Sequence, residues 1–370
     1  MRQRNGSPRQ SQSAPSPGCP CRVDLVSAAL AIRARARELG FDAIAFARAE
    51  PLELDHRRYL DFIERGYHGD MAYLADNAEL RAGVDRPELL DGTRTVICLA
   101  RRYARADADR DAPMARTIAR YARGRDYHNF IQKRARHLAQ FIRRLGDGVG
   151  ARAFVDAAPL LERAWAARAG LGFVGKNGLV IIPGQGSFCL LGEVLTTLEL
   201  DSVDYGTPIG ERCGSCTACL DVCPTEAFVA PFVLDARRCI SFQTIERRTD
   251  PPLDGDFGER LFGCDACQEV CPYNRVAPGG DTSPFEPLPR WAESSLAALV
   301  ALDDDAFSNL TEGSPVGRAT RRTLAISVVR LAKRRLDAEP GDADARAALD
   351  AALAHKDEAL VAVARRLTAT

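Results

Sequence analysis

Apolar and polar positions fall on two periods along this chain. Residues 24-DLVSAALAIRARARELG-40 repeat apolar side chains at helical spacing and stop at Gly40, a residue suited to the left-handed turn that closes a helix. The next run, 41-FDAIAFA-47, and a later one, 94-RTVICLA-100, are continuous apolar stretches of strand length. A further helix is expected around residues 128–145, after 120-RYARGRDYH-128. These segments predict mixed α/β structure over residues 23–205. From residue 281 the pattern turns helical. Ser314 and Pro315 read as the cap and first residue of a helix, whose run 315-PVGRATRRTLAISVVRLAKRRL-336 puts Leu324, Val328 and Leu331 on one face. Two more helices are expected after it, broken at Pro340-Gly341 and near His355-Lys356.

Composition narrows the class. The chain has 370 residues, 46% hydrophobic and 27% charged, enough for two or three core-forming domains. Lys plus Arg equals Asp plus Glu, so net charge says nothing about partners. No apolar run is long enough to span a membrane. Residues 1–22 are basic and rich in Ser, Pro and Gln, without the apolar centre of a secretion signal, and read as a disordered tail. A cytoplasmic protein is expected.

The distribution of charge is more informative. Residues 116–144 hold nine Lys or Arg and one acid, Asp126, with Tyr121, Tyr127 and His128 interleaved. Basic and aromatic residues together suit a phosphate-bearing partner, although a solvated helix face has the same composition. In the C-terminal helix Arg318, Arg321, Arg322, Lys333, Arg334 and Arg335 surround the apolar stripe. Stacked helices with a basic side suit a nucleic-acid backbone, or form a cap over the preceding domain.

The strongest chemical signal lies between these units, in residues 206–280. Of twelve cysteines, eight crowd into residues 213–271, a density that in a reducing compartment points to metal. The stretch 213-CGSCTACLDVCP-224 has the spacing of a bacterial ferredoxin run. Three thiolates, Cys213, Cys216 and Cys219, can each reach a different iron of one cube. The fourth, Cys223, lies past a turn and serves a second cluster. A matching run, 264-CDACQEVCP-272, supplies Cys264, Cys267 and Cys271, but Leu261 stands where its first thiol would be. The nearest spare thiol upstream is Cys239. Cross-ligation then gives one cluster as Cys213, Cys216, Cys219 and Cys271, and the other as Cys223, Cys239, Cys264 and Cys267. Zinc would favour CxxC pairs separated by longer loops. Cys98 and Cys189 lie in apolar runs and read as buried strand residues; Cys19 and Cys21 lie in the tail.

Asp156 ends a short apolar strand ahead of a small-residue turn and a helix. An acid there can face a ligand crevice or cap the helix. The Gly-rich 170-GLGFVGKNG-178 could let backbone approach a ligand, but it is neither a dinucleotide fingerprint nor a P-loop.

From about residue 24 to 336 the chain resembles the bacterial epoxyqueuosine reductases, iron–sulfur and cobalamin enzymes of tRNA queuosine biosynthesis. The carriers are 119-ARYARGRDYHNFI-131, 155-VDAAPLLERAWAARAGLGFVGKNGLVI-181, 186-GSFCLLGEVLT-196, the cysteine runs with 235-DARRCISF-242, and 313-GSPVGRATRRTL-324. The stretch 249-TDPPLDGDFGERLFGCD-265 is unusual for the family. The resemblance implies an α/β cobalamin-binding domain at 23–205, a ferredoxin-like domain with two [4Fe–4S] clusters at 206–280, and C-terminal HEAT-like helices at 281–370 that hold tRNA. It implies that electrons from an external low-potential donor pass through the clusters to cobalt and reduce the epoxide, oxygen leaving as water. Asp156 takes the proton-donor role, with a raised pKa expected beside the corrin. Cobalamin contacts are expected at Arg81, Asp156, Val180, Leu191 and Ser241. A monomer is expected. Two other readings share parts of this pattern: a dehalogenase-like corrinoid reductase of small molecules, and a non-catalytic ferredoxin-type electron-transfer subunit.

Overall fold

The computed structural model describes residues 25–105, 107–156, 158–249, 252–275 and 281–369; the N-terminal tail of the sequence reading lies outside them. In chain order the first six strands are β1 (Ala43–Arg48), β2 (Thr95–Arg102), β3 (Ala151–Phe154), β4 (Phe173–Val174), β5 (Val180–Ile181) and β6 (Cys189–Thr196); β7 (Phe228–Ala230) and β8 (Val233–Leu234) form a separate hairpin. Four of them form one sheet in the order β1-β2-β6-β3, and every pairing in it is antiparallel. The crevice rule for parallel sheets therefore does not apply to Asp156, and its position needs a local explanation.

Side-chain alternation sends each strand into two cores. Phe46, Ile97, Leu99 and Val194 face helices Leu25–Glu38 and Tyr127–Ile142. Ala45, Val96, Cys98, Phe154 and Leu195 face the opposite way, against Trp165 of helix Glu162–Arg168 and against Val180. All residues of β2 are buried, as a continuous apolar run requires. The mixed α/β structure expected of the N-terminal part is present among the described residues. Gly40 closes the first helix with φ +85°, and Cys98 and Cys189 lie on β2 and β6.

The cysteine region folds as two similar loops. Each run passes through a one-turn helix, Ala218–Asp221 or Ala266–Glu269, and these two helices pack on each other. The hairpin β4–β5 lies against them: Lys176 Nζ donates to the carbonyls of Gly214 (2.6 Å) and Cys216 (2.9 Å). Gly172 is required here, because a Cβ would stand 2.5 Å from the Ile181 carbonyl oxygen. The Gly-rich segment is thus a brace for the cysteine loop.

The C-terminal part is helical. Helices Leu296–Val300, Arg321–Ala338, Ala343–Leu353 and Glu358–Thr368 surround one core that contains Leu324, Val328 and Leu331. Ser314 does not start the long helix. It caps a short 3-10 turn, Pro315–Arg318, and Thr320 caps helix Arg321–Ala338, its side chain accepting from the Thr323 N–H. Ala319 is extended between them, which frees Arg318 to point away from the helix axis.

The basic stripe expected on this helix is mostly neutralised from within. Arg334 pairs with Asp256, Arg335 with Glu259 (3.0 Å), Arg321 with Asp304 (2.8 Å) and Arg322 with Asp357 (2.8 Å). Arg366 on the last helix reaches Asp254 (3.0 Å), and Arg330 donates to the carbonyl of Gly255 (3.1 Å). The unusual segment 249–265 is the acidic half of this contact, and its Leu261 is buried in the helical core. No helix among the described residues is long and apolar enough to cross a membrane.

Candidate functional site

The eight clustered thiols fall into two neighbourhoods. Cys219 lies within electrostatic reach of Cys216 and Cys271, Cys271 of Cys216, and Cys213 of Cys219. Cys239 lies within reach of Cys223, Cys264 and Cys267. The two sets adjoin at Cys219 and Cys267. Burial raises the Cys219 thiol in one set and the Cys239 and Cys267 thiols in the other above their ordinary value. Backbone N–H groups aim at the sulfurs: Ala227 at Cys223 (3.3 Å), and Ser241 and Phe242 at Cys239. Among the described residues no three His, Cys, Asp or Glu side chains converge on a single-ion site. A cube asks for a wider arrangement, since each thiolate takes a different iron. Cys239 is followed by a buried π-helical turn, Phe242–Glu246. Such a turn inserts one residue and is common at functional sites.

Asp156 sits two residues past β3 with φ +55°, a left-handed conformation that is strained for a residue with a Cβ. It does not cap helix Glu162–Arg168, whose N-cap is Leu161 with no side-chain cap bond. Its carboxylate accepts a hydrogen bond from the Tyr127 hydroxyl and lies 3.0 Å from His128 Nε2. The other ring nitrogen, His128 Nδ1, is 2.7 Å from Asp126 Oδ1. Asp126 is placed by its own role as cap of helix Tyr127–Ile142, accepting from the His128 N–H at 2.9 Å. The Tyr127 and His128 rings stack at 4.2 Å. An Asp–His–Asp line thus ends at a carboxylate that is 44% exposed.

The electrostatics reverse the expectation of a raised pKa for Asp156. Burial pushes the carboxyl up, but the His128 and Tyr127 hydrogen bonds, with Arg318 beyond, hold it below its ordinary value. Arg318 reaches this region from the C-terminal unit through Glu246 (2.5 Å) and the Tyr73 hydroxyl (3.1 Å). His128 is raised, chiefly by its bond to Asp156, and Tyr127 is raised by burial and by the same carboxylate. Two neighbouring acids are raised instead: Glu162, pushed up to about 7 by burial and by Asp156, and Glu193, by burial and by Glu162. Because His128 owes its shift to Asp156, an Asp156→Asn protein should show a lower His128 pKa. Imidazole NMR titration checks this, and an unchanged value would break the pairing.

The other predicted residues are spread around this end of the sheet. Val180 is buried and Leu191 half-buried, both against the Trp165 side. Arg81 is buried, lies over the Tyr59 ring and donates to the Leu160 carbonyl (3.3 Å), with its Nε unpartnered. Ser241 faces the Cys239 sulfur. An open groove of about 510 Å³ runs along the free edge of β3, lined by Gln132, Arg136, Arg143 and Arg152 and reaching Val155; none of the predicted contacts lines it. Tyr127 and His128 stand out in the sequence only as part of a basic, aromatic stretch. Their pairing with Asp156 is a tertiary contact with no local signal. Lys176, Glu162 and Glu193 carry none either.

Comparison with known proteins completes the picture. Residues 84–157 match the family described as epoxyqueuosine reductase QueG, DUF1730, and residues 212–274 match the 4Fe-4S double cluster binding domain. The chain is 39% identical over 325 residues to the epoxyqueuosine reductase of Gloeobacter violaceus, covering 85% of this chain and 98% of that one. It is 43% identical over 312 residues to that of Pseudomonas aeruginosa, covering 82% and 83%. Among solved structures, an epoxyqueuosine reductase with a tRNA-Tyr epoxyqueuosine-modified stem loop superposes with TM-score 0.79 at 28% identity, covering 93% of this chain and 90% of that one. The Bacillus subtilis enzyme, with its catalytic aspartate loop swung out of the active site, superposes equally well.

Proposed function

Because this chain belongs to the epoxyqueuosine reductase family, we propose that Asp156 is the proton donor in the reduction of epoxyqueuosine to queuosine at the tRNA wobble position. The observation that carries this role is the Asp156 carboxylate, gripped by Tyr127 and His128 yet open to solvent on one side. Cys213, Cys216, Cys219 and Cys271 would hold one [4Fe–4S] cluster and Cys223, Cys239, Cys264 and Cys267 a second, and these would supply electron transfer from an external low-potential donor. Cys219 and Cys267 adjoin, so the two cluster sites would lie next to each other.

The end of the sheet also fits a cobalamin. Half-buried Leu191 offers apolar surface over buried Val180, and the Nε of the buried Arg81 is without a hydrogen-bond partner. Asp156 and Ser241 complete the contacts inferred from the resemblance. When bound, cobalamin would supply a low-potential cobalt centre for the reduction. The chain's own part is acid–base. His128, raised by Asp156, keeps a proton beside the carboxylate, and Asp156 presents that proton at the open face as the epoxide oxygen becomes water. Asp126 fixes the imidazole so that Nε2 faces Asp156. Domain boundaries near 205 and 280, HEAT-like stacking of the last helices, a monomeric state and a cytoplasmic location belong to the same reading. With the helix arginines paired internally, the exposed Arg125, Lys133, Arg136 and Arg144 are better placed for tRNA phosphates.

The test is nucleoside mass spectrometry on anaerobically reconstituted protein with cobalamin, a strong reductant and tRNA carrying epoxyqueuosine. Queuosine should form only when cobalamin and tRNA are both present. No conversion with clusters and cobalamin bound would overturn the assignment.

A further inference from the structure

The clustered thiols are not equally deep. Of the eight, Cys216 is the exposed one. The loop that carries it is braced by Lys176, which does more than donate its Nζ. The Lys176 backbone N–H aims at the Cys213 sulfur, and the Lys176 carbonyl accepts the N–H of Phe232 at 2.8 Å. A single hydrogen-bonded peptide thus joins Phe232 to a thiol of the set that contains Cys216.

Phe232 lies in the turn between β7 and β8, directly after Pro231. Its φ is +69°, in the left-handed region. A left-handed residue after proline in a tight turn is ordinarily Gly or Asn, because a larger side chain is strained there. Packing does not offset the strain, since Phe232 is 47% exposed. Val229 on β7 and Val222 beside Cys223 are exposed as well. An aromatic ring kept at a strained, exposed position marks a contact with something outside the chain.

Charge narrows what that is. The acids around the turn are occupied by the chain itself. Glu211 accepts the N–H groups of Cys213 and Gly214, the latter at 3.2 Å. Asp221 accepts the Thr217 hydroxyl (2.7 Å), Glu226 meets Arg238 (3.3 Å) and Asp235 holds Arg237 (2.7 Å). Lys176 Nζ bonds to carbonyls and Arg212 is exposed; neither meets a carboxylate among the described residues. Apolar side chains are thus combined with positive charge that has no fixed counter-ion, beside the exposed thiol.

We propose that the β7–β8 turn, with Phe232 as anchor and Lys176 and Arg212 beside it, is the docking surface for a small acidic one-electron carrier protein of the ferredoxin type. The inference rests on the reading that an external donor feeds the two clusters. In each encounter the carrier is oxidised by one electron, received at the site of Cys213, Cys216, Cys219 and Cys271. Two encounters supply the two electrons that removal of an epoxide oxygen as water consumes.

The variant that isolates the anchor is Phe232→Gly. Glycine suits φ +69° and keeps the N–H that the Lys176 carbonyl accepts, so the turn and the cysteine loop persist. The probe is an acidic [2Fe–2S] ferredoxin, offered to cluster-loaded protein without tRNA or cobalamin. Calorimetry with the oxidised ferredoxin should show Kd rising on the order of tenfold in F232G, the effect of losing an aromatic interface anchor. Stopped-flow reduction of the clusters by reduced ferredoxin below saturation should slow in step, while reduction by dithionite matches the parent. Arg212→Glu should slow association and flatten its salt dependence. Parental binding and ferredoxin-driven reduction in F232G would overturn the surface, as would a parent that does not bind the ferredoxin. A parental salt dependence in R212E would overturn the acidic partner, and a slower dithionite reaction in F232G would assign the ring to the cysteine loop instead. None of these readings needs tRNA, so failure of docking and failure of the functional assignment are distinguishable.

Discussion

Replacing Asp156 with Asn should lower single-turnover reduction by about 10²–10⁴-fold, the usual contribution of a positioned general acid. Asn is the right probe for a geometric reason. The residue sits at φ +55°, and Asn tolerates the left-handed region better than any other side chain of this size. The backbone turn, the bond from Asp156 N–H to Glu162 and the cluster loops should all persist. What is lost is the ability to hold and release a proton opposite His128. Cluster absorbance and cobalamin binding should match the parent, while queuosine formation, followed by mass spectrometry, collapses. A variant within threefold of the parent rate would remove Asp156 from the chemistry. Stability should respond to pH in the same sense. Asp156 is depressed in the folded state, so its contribution is present above its unfolded pKa and is lost as pH falls through the folded value. His128 has the opposite sign: its raised pKa stabilises at acid pH and the gain is lost as pH rises through the folded value.

The second large effect is expected at Cys239. If it supplies the ligand missing from the second run, Cys239→Ala should cost about half of the bound iron and acid-labile sulfide, the share of one [4Fe–4S] cluster of two. Turnover should vanish with it, because the electron path is cut. Cys98 and Cys189 provide the control: they lie on β2 and β6 among apolar neighbours, and alanine there should leave iron content unchanged. Full iron content in the Cys239 variant would send the search for the fourth ligand elsewhere.

The sequence carried the cysteine arithmetic because ferredoxin spacing is local; a thiol every third residue constrains one loop. It carried the helices with clear stripes and caps for the same reason. It misplaced the start of the long C-terminal helix because Ser-Pro is an equally good beginning for a 3-10 turn, and only the extended Ala319 separates the two. It offered the basic helix as an open face because the acids that neutralise Arg334 and Arg335, Asp256 and Glu259, lie 78 and 76 residues earlier in a segment with no recognisable pattern. The direction of the Asp156 shift was hidden too. It depends on Tyr127 and His128 arriving from another helix, and on Arg318 arriving from another unit altogether. Only the antiparallel order of the sheet and the packing across it bring those groups together.

The acidic segment 249–265 has a consequence for how tRNA affinity responds to ionic strength. Phosphate contacts ordinarily free condensed cations, and each one steepens the fall of affinity with added salt. Arginines 334, 335 and 366 already hold carboxylates in place of mobile anions. A phosphate recruited by any of them must first evict Asp254, Asp256 or Glu259. That exchange swaps one fixed pair for another, and the tethered acid gains no translational freedom on release. The logarithmic salt slope of tRNA binding should therefore be shallower than a count of the enzyme's C-terminal arginines suggests.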